Sequence, residues 1–272
     1  MAVNHSEEVI RFNNHLYIDN EILCDNIDDS KEVCERLSKL YISPYVGELV
    51  KINKSKRLFL NSLSDLGKST KDFYKRRVSK VKISKASFFP NGEKIDNGEA
   101  MLLATKSKPT ILISKSRQAT SRDLIAVFHE FGHLPTLLNG SNKDYYEYEE
   151  VLPIYFEYLA CKQINSEKAK ELLLQIRLEI SSYLARNYMW FNRLSCNDDY
   201  SKIVDINNKK RECFKYIKSL EYVLQLIDVE DEDKSIVNDS IDSVVRNETS
   251  FRELESSLGI DTYGCKKILS RI

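Results

Sequence analysis

The chain has 272 residues, of which 30% are charged, and its 41 basic and 41 acidic side chains cancel to a formal net charge of zero. This balance excludes a strongly basic protein of the kind that binds nucleic acid or acidic membranes, and no apolar run approaches the roughly 18 residues of a membrane-spanning helix. With only eight glycines and five prolines, the composition favours helices over a many-turned all-β fold.

The N-terminus and the cysteines bear on the cellular compartment. The first twelve residues carry acids where a signal peptide needs basic residues and then an apolar run. The six cysteines are scattered without a CxxC pair, which is typical of reduced thiols and not of a disulfide framework or a cysteine zinc site. We therefore expect a cytoplasmic protein.

Residues 1–85 are predicted to form an N-terminal helical region. One helix begins near Ser30, and a second helical stretch runs from about residue 56 to residue 80. The basic run from Lys71 to Lys85 has two interpretations, a nucleic-acid patch or a solvated helix face. Because the chain is neutral overall, the solvated face is favoured.

The segment after residue 85 contains the β portion of the chain. Two turn signals, at 90–92 and 96–98, precede short apolar runs at 100–105 and 110–114. We read these runs as antiparallel neighbours, so the predicted fold is mainly α with a small antiparallel β-sheet. Residues 86–272 are predicted to form a second region that packs with the N-terminal region as one globular unit.

The strongest functional signal is the sequence HEFGH at 129–133. Two histidines four residues apart, His129 and His133, lie on one face of a helix and can reach a single metal, and Glu130 stands where a general base would act on a metal-activated water. The alternative is a helix whose histidines face solvent or lie in the core with their hydrogen bonds made by neighbouring groups. A helical wheel favours the metal site, because the apolar side chains share the face opposite to the histidines: Leu124, Val127, Phe128 and Phe131.

A catalytic zinc ion usually has three protein ligands and one open position. The chain has no histidine after His133, so a glutamate on the following helix is the natural third ligand. Spacing alone leaves four candidates open: Glu147, Glu149, Glu150 and Glu157.

Helical patterns fill the rest of the chain. The first follows the segment 145–150 and ends at about residue 163, and two longer helices run from 166 to about 194 and from about 209 to 227. Three short helices are predicted near 235–246, 250–258 and 263–271.

HEFGH followed by EVLPIYFE at 150–157 resembles the oligopeptidase F and thimet oligopeptidase family of zinc peptidases. Segments 108–114 and 123–128 resemble the strand and helix that precede the motif in that family, and 213–220 and 251–261 are similar to its C-terminal tyrosine helix and closing segment. The resemblance covers roughly residues 100–265 and implies a zincin-like (gluzincin) core.

The resemblance also implies roles for individual residues. His129, His133 and Glu150 would bind Zn²⁺, Glu130 would be the base, and Tyr216, with Tyr222 behind it, would stabilise the oxyanion. Glu157, seven residues after Glu150 and on the same helix face, would orient a ligand histidine or would be an exposed helix glutamate. It would be the fallback ligand if Pro153 turned Glu150 away. The chain departs from the family at Thr136, where a further histidine is common, and it is well under half the usual family length.

The predicted function is that of a zinc metallopeptidase that hydrolyses peptide bonds in a peptide or unfolded protein, with no nucleic-acid or membrane partner. The strand at 110–114 is expected to hold an extended substrate by backbone pairing. Two alternatives remain: a regulatory protease acting on one specific protein, and a catalytically weak zinc-containing module that binds peptides.

Overall fold

The computed structural model describes residues 29–96, 98–103, 108–115, 118–139, 148–194 and 200–272, so the predictions for Glu147, Cys24 and Cys196 lie outside the described residues. The strands are β1 Leu49–Val50, β2 Lys82–Ala86, β3 Ala100–Leu103, β4 Thr110–Ser114 and β5 Ala119–Thr120. The helices are α1 Asp29–Lys39, α2 Ser55–Ser62, α3 Lys68–Val78, α4 Ser121–Gly132, α5 Leu134–Asn139, α6 Val151–Ile164, α7 Ala169–Leu194, α8 Tyr200–Glu232, α9 Lys234–Val245, α10 Phe251–Leu258 and α11 Lys266–Leu269.

The described structure is mainly helical, as predicted, but its principal sheet is mixed and not purely antiparallel. Its strand order is β2-β4-β3. The antiparallel pairing of β3 with β4 confirms the two predicted neighbours. The strand β2 pairs parallel with β4 and lies at residues predicted to belong to the helical region. The lysines at 82 and 85 made this segment resemble the end of a basic helix in the sequence. Charged side chains of this kind are common on edge strands.

The strand predicted to bind an extended peptide, 110–114, is the central strand of this sheet. Its two edges are already paired with β2 and β3, so it has no free edge for a peptide. That prediction is wrong, and β3 is the edge strand next to the motif helix.

The helix predictions are confirmed with shifted ends. The stretch predicted at 56–80 is two helices, because the chain turns at Gly67 between α2 and α3. The helix α8 begins earlier and ends later than predicted, and α4 ends at Gly132, before the second histidine. Since α5 begins afresh at Leu134, Pro135 lies in its first turn, where proline is tolerated. Within the described residues, no helix has the length and apolar character needed to cross a membrane.

The motif helix α4 begins with a capping box formed by Thr120 and Asp123. Asp123 closes its first turn by accepting a hydrogen bond from the Thr120 backbone N–H at 2.7 Å. The other carboxylate oxygen of Asp123 accepts one from the Gly98 N–H at 2.9 Å, which ties the helix to the turn before β3. The carboxylate therefore fixes both the start of α4 and its position beside the sheet.

The apolar face of α4 packs into an aromatic cluster. The ring of Phe59 on α2 lies 5.1 Å from Phe128 and 4.7 Å from Phe131, measured between ring centroids, and 5.1 Å from Phe156 on α6. All four side chains are fully buried. The cluster joins α2, α4 and α6, so the N-terminal residues share the core that supports the motif.

The helices α4 and α6 approach each other most closely at Gly132. A Cβ atom at this position would lie 2.4 Å from Pro153 Cα and 2.7 Å from Pro153 N. No side chain fits between two backbones at that separation. The glycine of HEFGH is therefore required by helix packing.

Replacing Gly132 with alanine is expected to reduce the free energy of unfolding by about 1–3 kcal/mol, because the backbone of α6 must move away. Urea denaturation measures the loss. The control is Gly92→Ala, at a turn where a Cβ meets nothing within 4 Å and only the φ of +87° is unfavourable. A Gly132→Ala protein as stable as wild type would contradict the close approach of the two helices.

Candidate metal centre

Three predicted ligand side chains meet at the junction of α4 and α6. His129 is on the last turn of α4, His133 caps its C-terminus, and Glu150 is the residue just before α6. Because Pro153 lies in the first turn of α6, it does not turn Glu150 away from the histidines. The three residues form a group able to hold a metal ion.

The spacing of the three potential ligand atoms fits one small cation. His129 Nε2 lies 3.2 Å from His133 Nε2 and 3.2 Å from Glu150 Oε2, and His133 Nε2 lies 3.7 Å from Glu150 Oε2. Ligands about 2.0–2.1 Å from a tetrahedral ion are roughly 3.3 Å apart. The group therefore needs little rearrangement to bind such an ion.

One oxygen of this group, Glu150 Oε2, lacks a hydrogen-bond donor among the described residues. Glu150 Oε2 is buried and makes no hydrogen bond with any described residue, although His129 Nε2 is only 3.2 Å away. A buried carboxylate oxygen without a donor is costly, and cation binding is a usual way to satisfy it. The residues present thus fit a metal ion.

The charge states of the two histidines differ. Burial lowers the pKa of His133 to about 4, so its imidazole is neutral at neutral pH and has a lone pair for a metal. For His129, burial acts in the same direction, but Glu150 and Glu157 outweigh it and raise the pKa to about 9. The carboxylates around His129 therefore attract positive charge, which either a proton or a metal cation can supply.

Glu157 lies two turns after Glu150 and contacts the other side of His129. Its Oε1 is 3.0 Å from His129 Nδ1, while Nε2 of the same ring faces Glu150. A carboxylate at Nδ1 keeps the proton on that nitrogen and leaves Nε2 free to bind a metal. Glu157 therefore contacts the His129 nitrogen that faces away from Glu150, where it can orient the ring, and it is not one of the three potential metal ligands.

Arg177 on α7 holds Glu157 in place. Its guanidinium forms two hydrogen bonds with the Glu157 carboxylate, and its Nη2 also lies 2.7 Å from His129 Nδ1. Because Nη2 can only donate, a proton on Nδ1 has to point to Glu157 and not to Arg177. Both members of this pair are nearly inaccessible to solvent. Burial would raise the pKa of Glu157, but Arg177 and His129 hold it below its usual value.

Lys215 on α8 pairs with the ligand carboxylate. Its Nζ is 2.9 Å from Glu150 Oε1 and 3.5 Å from Glu149 Oε2. Burial would raise the pKa of Glu150, but Lys215 and the histidines keep it well below its ordinary value, so Glu150 is ionised. Because Lys215 occupies Oε1, only Oε2 faces the histidines. Glu149 thus contacts Lys215 and is not one of the metal-binding group.

Glu130 lies next to this group but does not belong to it. Its Oε2 accepts a hydrogen bond from the backbone N–H of Leu102 on β3, at 2.7 Å. Burial raises the pKa of Glu130 to about 7, within the range where a carboxylate both accepts and releases a proton near neutral pH. The glutamate is thus held between the motif helix and the open edge of β3.

The two candidate tyrosines have different surroundings. The ring centroid of Tyr216 lies 5.5 Å from Arg177 Cζ and 5.4 Å from Lys215 Nζ, beside the two cations of the site. Tyr222 is fully buried, and its hydroxyl donates to the Phe251 carbonyl at 3.0 Å. Its hydroxyl is thus used in the core, and Tyr216 is the tyrosine near the site.

Arg177 and Lys215 are the two site residues that the sequence analysis did not identify. Each lies on a helix far along the chain from the motif and follows no spacing rule relative to it. The one sequence signal that could have identified them is a lysine or arginine on the apolar face of a long helix, since such residues are rarely buried without a partner.

The chain was compared with models of protein families, with curated proteins and with solved structures, and none of the three comparisons gave a match. The resemblance to the oligopeptidase F family therefore stays a prediction.

Proposed function

We propose that this protein is a zinc-dependent metallopeptidase that hydrolyses peptide bonds in extended polypeptides. The observation that carries the proposal is the group His129, His133 and Glu150, with ligand atoms spaced for a tetrahedral ion and with Glu130 beside it. Two imidazoles and one carboxylate are a common ligand set of catalytic zinc, which leaves a fourth position for water. The gluzincin assignment belongs to the same proposal.

A bound zinc ion would supply Lewis acidity, lowering the pKa of a water molecule towards about 7 and polarising the scissile carbonyl. Glu130 takes a proton from the attacking water as its oxygen bonds to the carbonyl carbon. When the carbon–nitrogen bond breaks, Glu130 passes that proton to the leaving amine. The reaction needs no other co-reactant.

Tyr216 is the proposed hydrogen-bond donor to the oxygen on which negative charge develops. Burial raises the pKa of its hydroxyl well above 10, so the proton is present at neutral pH. A fixed donor of this kind is a usual source of transition-state stabilisation in acyl transfer. Lys215 is less suited to that role because it is bound to Glu150.

The edge of β3 that faces away from β4 is the basis for proposing an extended substrate, because no strand pairs with it in the described sheet. The Leu102 N–H points to Glu130 and hence away from β4, so this edge of the strand faces the side of the catalytic glutamate. An extended peptide that replaced Glu130 as the partner of the Leu102 N–H would pair with β3 and lie beside Glu130 with its backbone aligned. Backbone pairing makes few demands on side chains, which favours a broad range of peptide sequences.

The proposal predicts about one zinc ion per chain and cleavage of unstructured peptides by the zinc-loaded protein. Metal analysis and mass spectrometry of a digested peptide library measure these two quantities. Removal of the metal with a chelator should stop cleavage, and added zinc should restore it.

Other outcomes of this experiment favour the rival functions. Full zinc occupancy without turnover of any peptide would indicate a module that binds peptides without cleaving them. Cleavage of one folded protein, with the peptide library left intact, would indicate a regulatory protease.

A further inference from the structure

A second concave site lies at the other edge of the principal sheet, away from the metal centre. This basic cavity has a volume of about 990 Å³ and is bordered by the start of α2, by β2 and by the segment that joins α3 to β2. Among the described residues that line it, none is an aspartate or glutamate and five are lysines: Lys56, Lys80, Lys82, Lys85 and Lys108.

Three of the five cavity lysines have no acidic partner among the residues that the structure describes. Lys56, Lys80 and Lys82 form no ion pair with the described part of the chain; Lys56 Nζ donates only to the Ser79 carbonyl, at 3.4 Å. The first turn of α2 adds the positive end of a helix and contains no acidic residue. The cavity therefore attracts anions, although the chain as a whole is neutral.

The inner surface of the cavity is apolar. Ile52 and Ile83 are half-buried and present apolar surface to the cavity, while Val81 and Ile113 are almost fully buried and present little. The strand β2 is an edge strand of the described sheet. The site thus combines an apolar floor, a lysine rim and a β-strand edge.

We propose that the basic cavity binds an extended, acidic segment of a polypeptide. Lys56 on α2 and Lys80 and Lys82 at the start of β2 spread positive charge along the cavity, which suits carboxylates spaced along a chain better than one compact anion. The apolar floor accepts the side chains between those carboxylates, and pairing with an edge strand is a known mode of peptide recognition. The lining residues contain no aromatic side chain or arginine, the groups on which nucleic-acid bases stack.

This proposal does not depend on the proposed peptidase activity, because the site lies at the sheet edge opposite β3 and its occupancy is a binding event. If the peptidase proposal also holds, the basic cavity selects substrates or partners that carry an acidic segment. If it fails, the cavity still binds such segments.

Fluorescence anisotropy of a labelled peptide of alternating Glu and Val tests the proposal. The protein is the zinc-treated full chain with Glu130→Gln, so that the probe is not cleaved. We expect saturable binding that weakens with salt and that weakens about tenfold or more in the triple variant Lys56→Glu, Lys80→Glu, Lys82→Glu. A peptide with Gln in place of Glu should bind weakly to both proteins.

The matched control reverses three lysines on α3 that do not line the cavity: Lys68, Lys71 and Lys75. It makes the same change in net charge and should leave the affinity unchanged within about twofold. Equal losses in both variants, or no binding to the parent protein, would overturn the proposal. So would tighter binding of a single-stranded oligonucleotide than of the acidic peptide.

If charge reversal unfolds the cavity variant, as thermal melting would reveal, the same three lysines changed to glutamine give the second test. The glutamine variant removes the charge without introducing repulsion. It must show the same direction of change in peptide affinity for the proposal to stand.

Discussion

Replacing Glu130 with glutamine is expected to reduce peptide cleavage by a factor of about 10²–10⁴ while zinc stays bound. Zinc is retained because Glu130 is not in the group formed by His129, His133 and Glu150. The fold is retained because the glutamine carbonyl can accept the same hydrogen bond from the Leu102 N–H. The substitution therefore removes proton transfer and little else. Single-turnover cleavage and bound zinc are measured on the same sample.

Glu149→Gln is the matched control for this substitution. It makes the same chemical change at a carboxylate that contacts Lys215 on the outer side of the site. Cleavage by this variant should stay within a few-fold of wild type. If Glu130→Gln, loaded with zinc, cleaves peptides at the wild-type rate, the role proposed for Glu130 is wrong.

Replacing Glu157 with leucine should have the largest effect on stability. Arg177 is then left charged and buried without its carboxylate partner, a change that typically costs about 3–5 kcal/mol of unfolding free energy. His129 Nδ1 also loses its acceptor, so zinc affinity should fall by about 10–100-fold. Denaturation of metal-free protein measures the first effect, and competition with a zinc-binding dye measures the second.

The double variant Glu157→Leu, Arg177→Leu separates the two effects. It leaves no buried charge from this pair, so most of the lost stability should return. Zinc affinity should stay low, because the orienting carboxylate is still missing. A double variant with wild-type zinc affinity would show that Glu157 does not orient His129.

The local part of the site could be predicted from the sequence because helical periodicity determines it. Residues four apart on a helix share a face, which brings His129 and His133 together once the helix is known to form. The choice among the glutamates needed the tertiary structure, because the loop between α4 and α6 sets which carboxylate meets the histidines. Resemblance, not spacing, singled out Glu150.

The charged partners of the site could not be predicted in the same way. Arg177 and Lys215 reach it from α7 and α8, and contacts between helices so distant in sequence follow from packing angles that no local pattern encodes. The strand β2 was missed for a different reason. Its two lysines, three residues apart at 82 and 85, also suit the end of a basic helix, and only pairing with β4 makes the segment a strand.

The close contact of Gly132 with Pro153 means that Gly132 and Glu130 are constrained for different reasons when this chain is compared with a relative. The glycine is required by the approach of two backbones, whereas the hydrogen bond that Glu130 accepts from the Leu102 N–H is one that glutamine can also accept. A relative that lost the proposed catalytic base could therefore keep the glycine and the proline for structural reasons alone. Divergence at Glu130 and at the histidines would report a change of chemistry, while divergence at Gly132 would report a change in how the two helices meet.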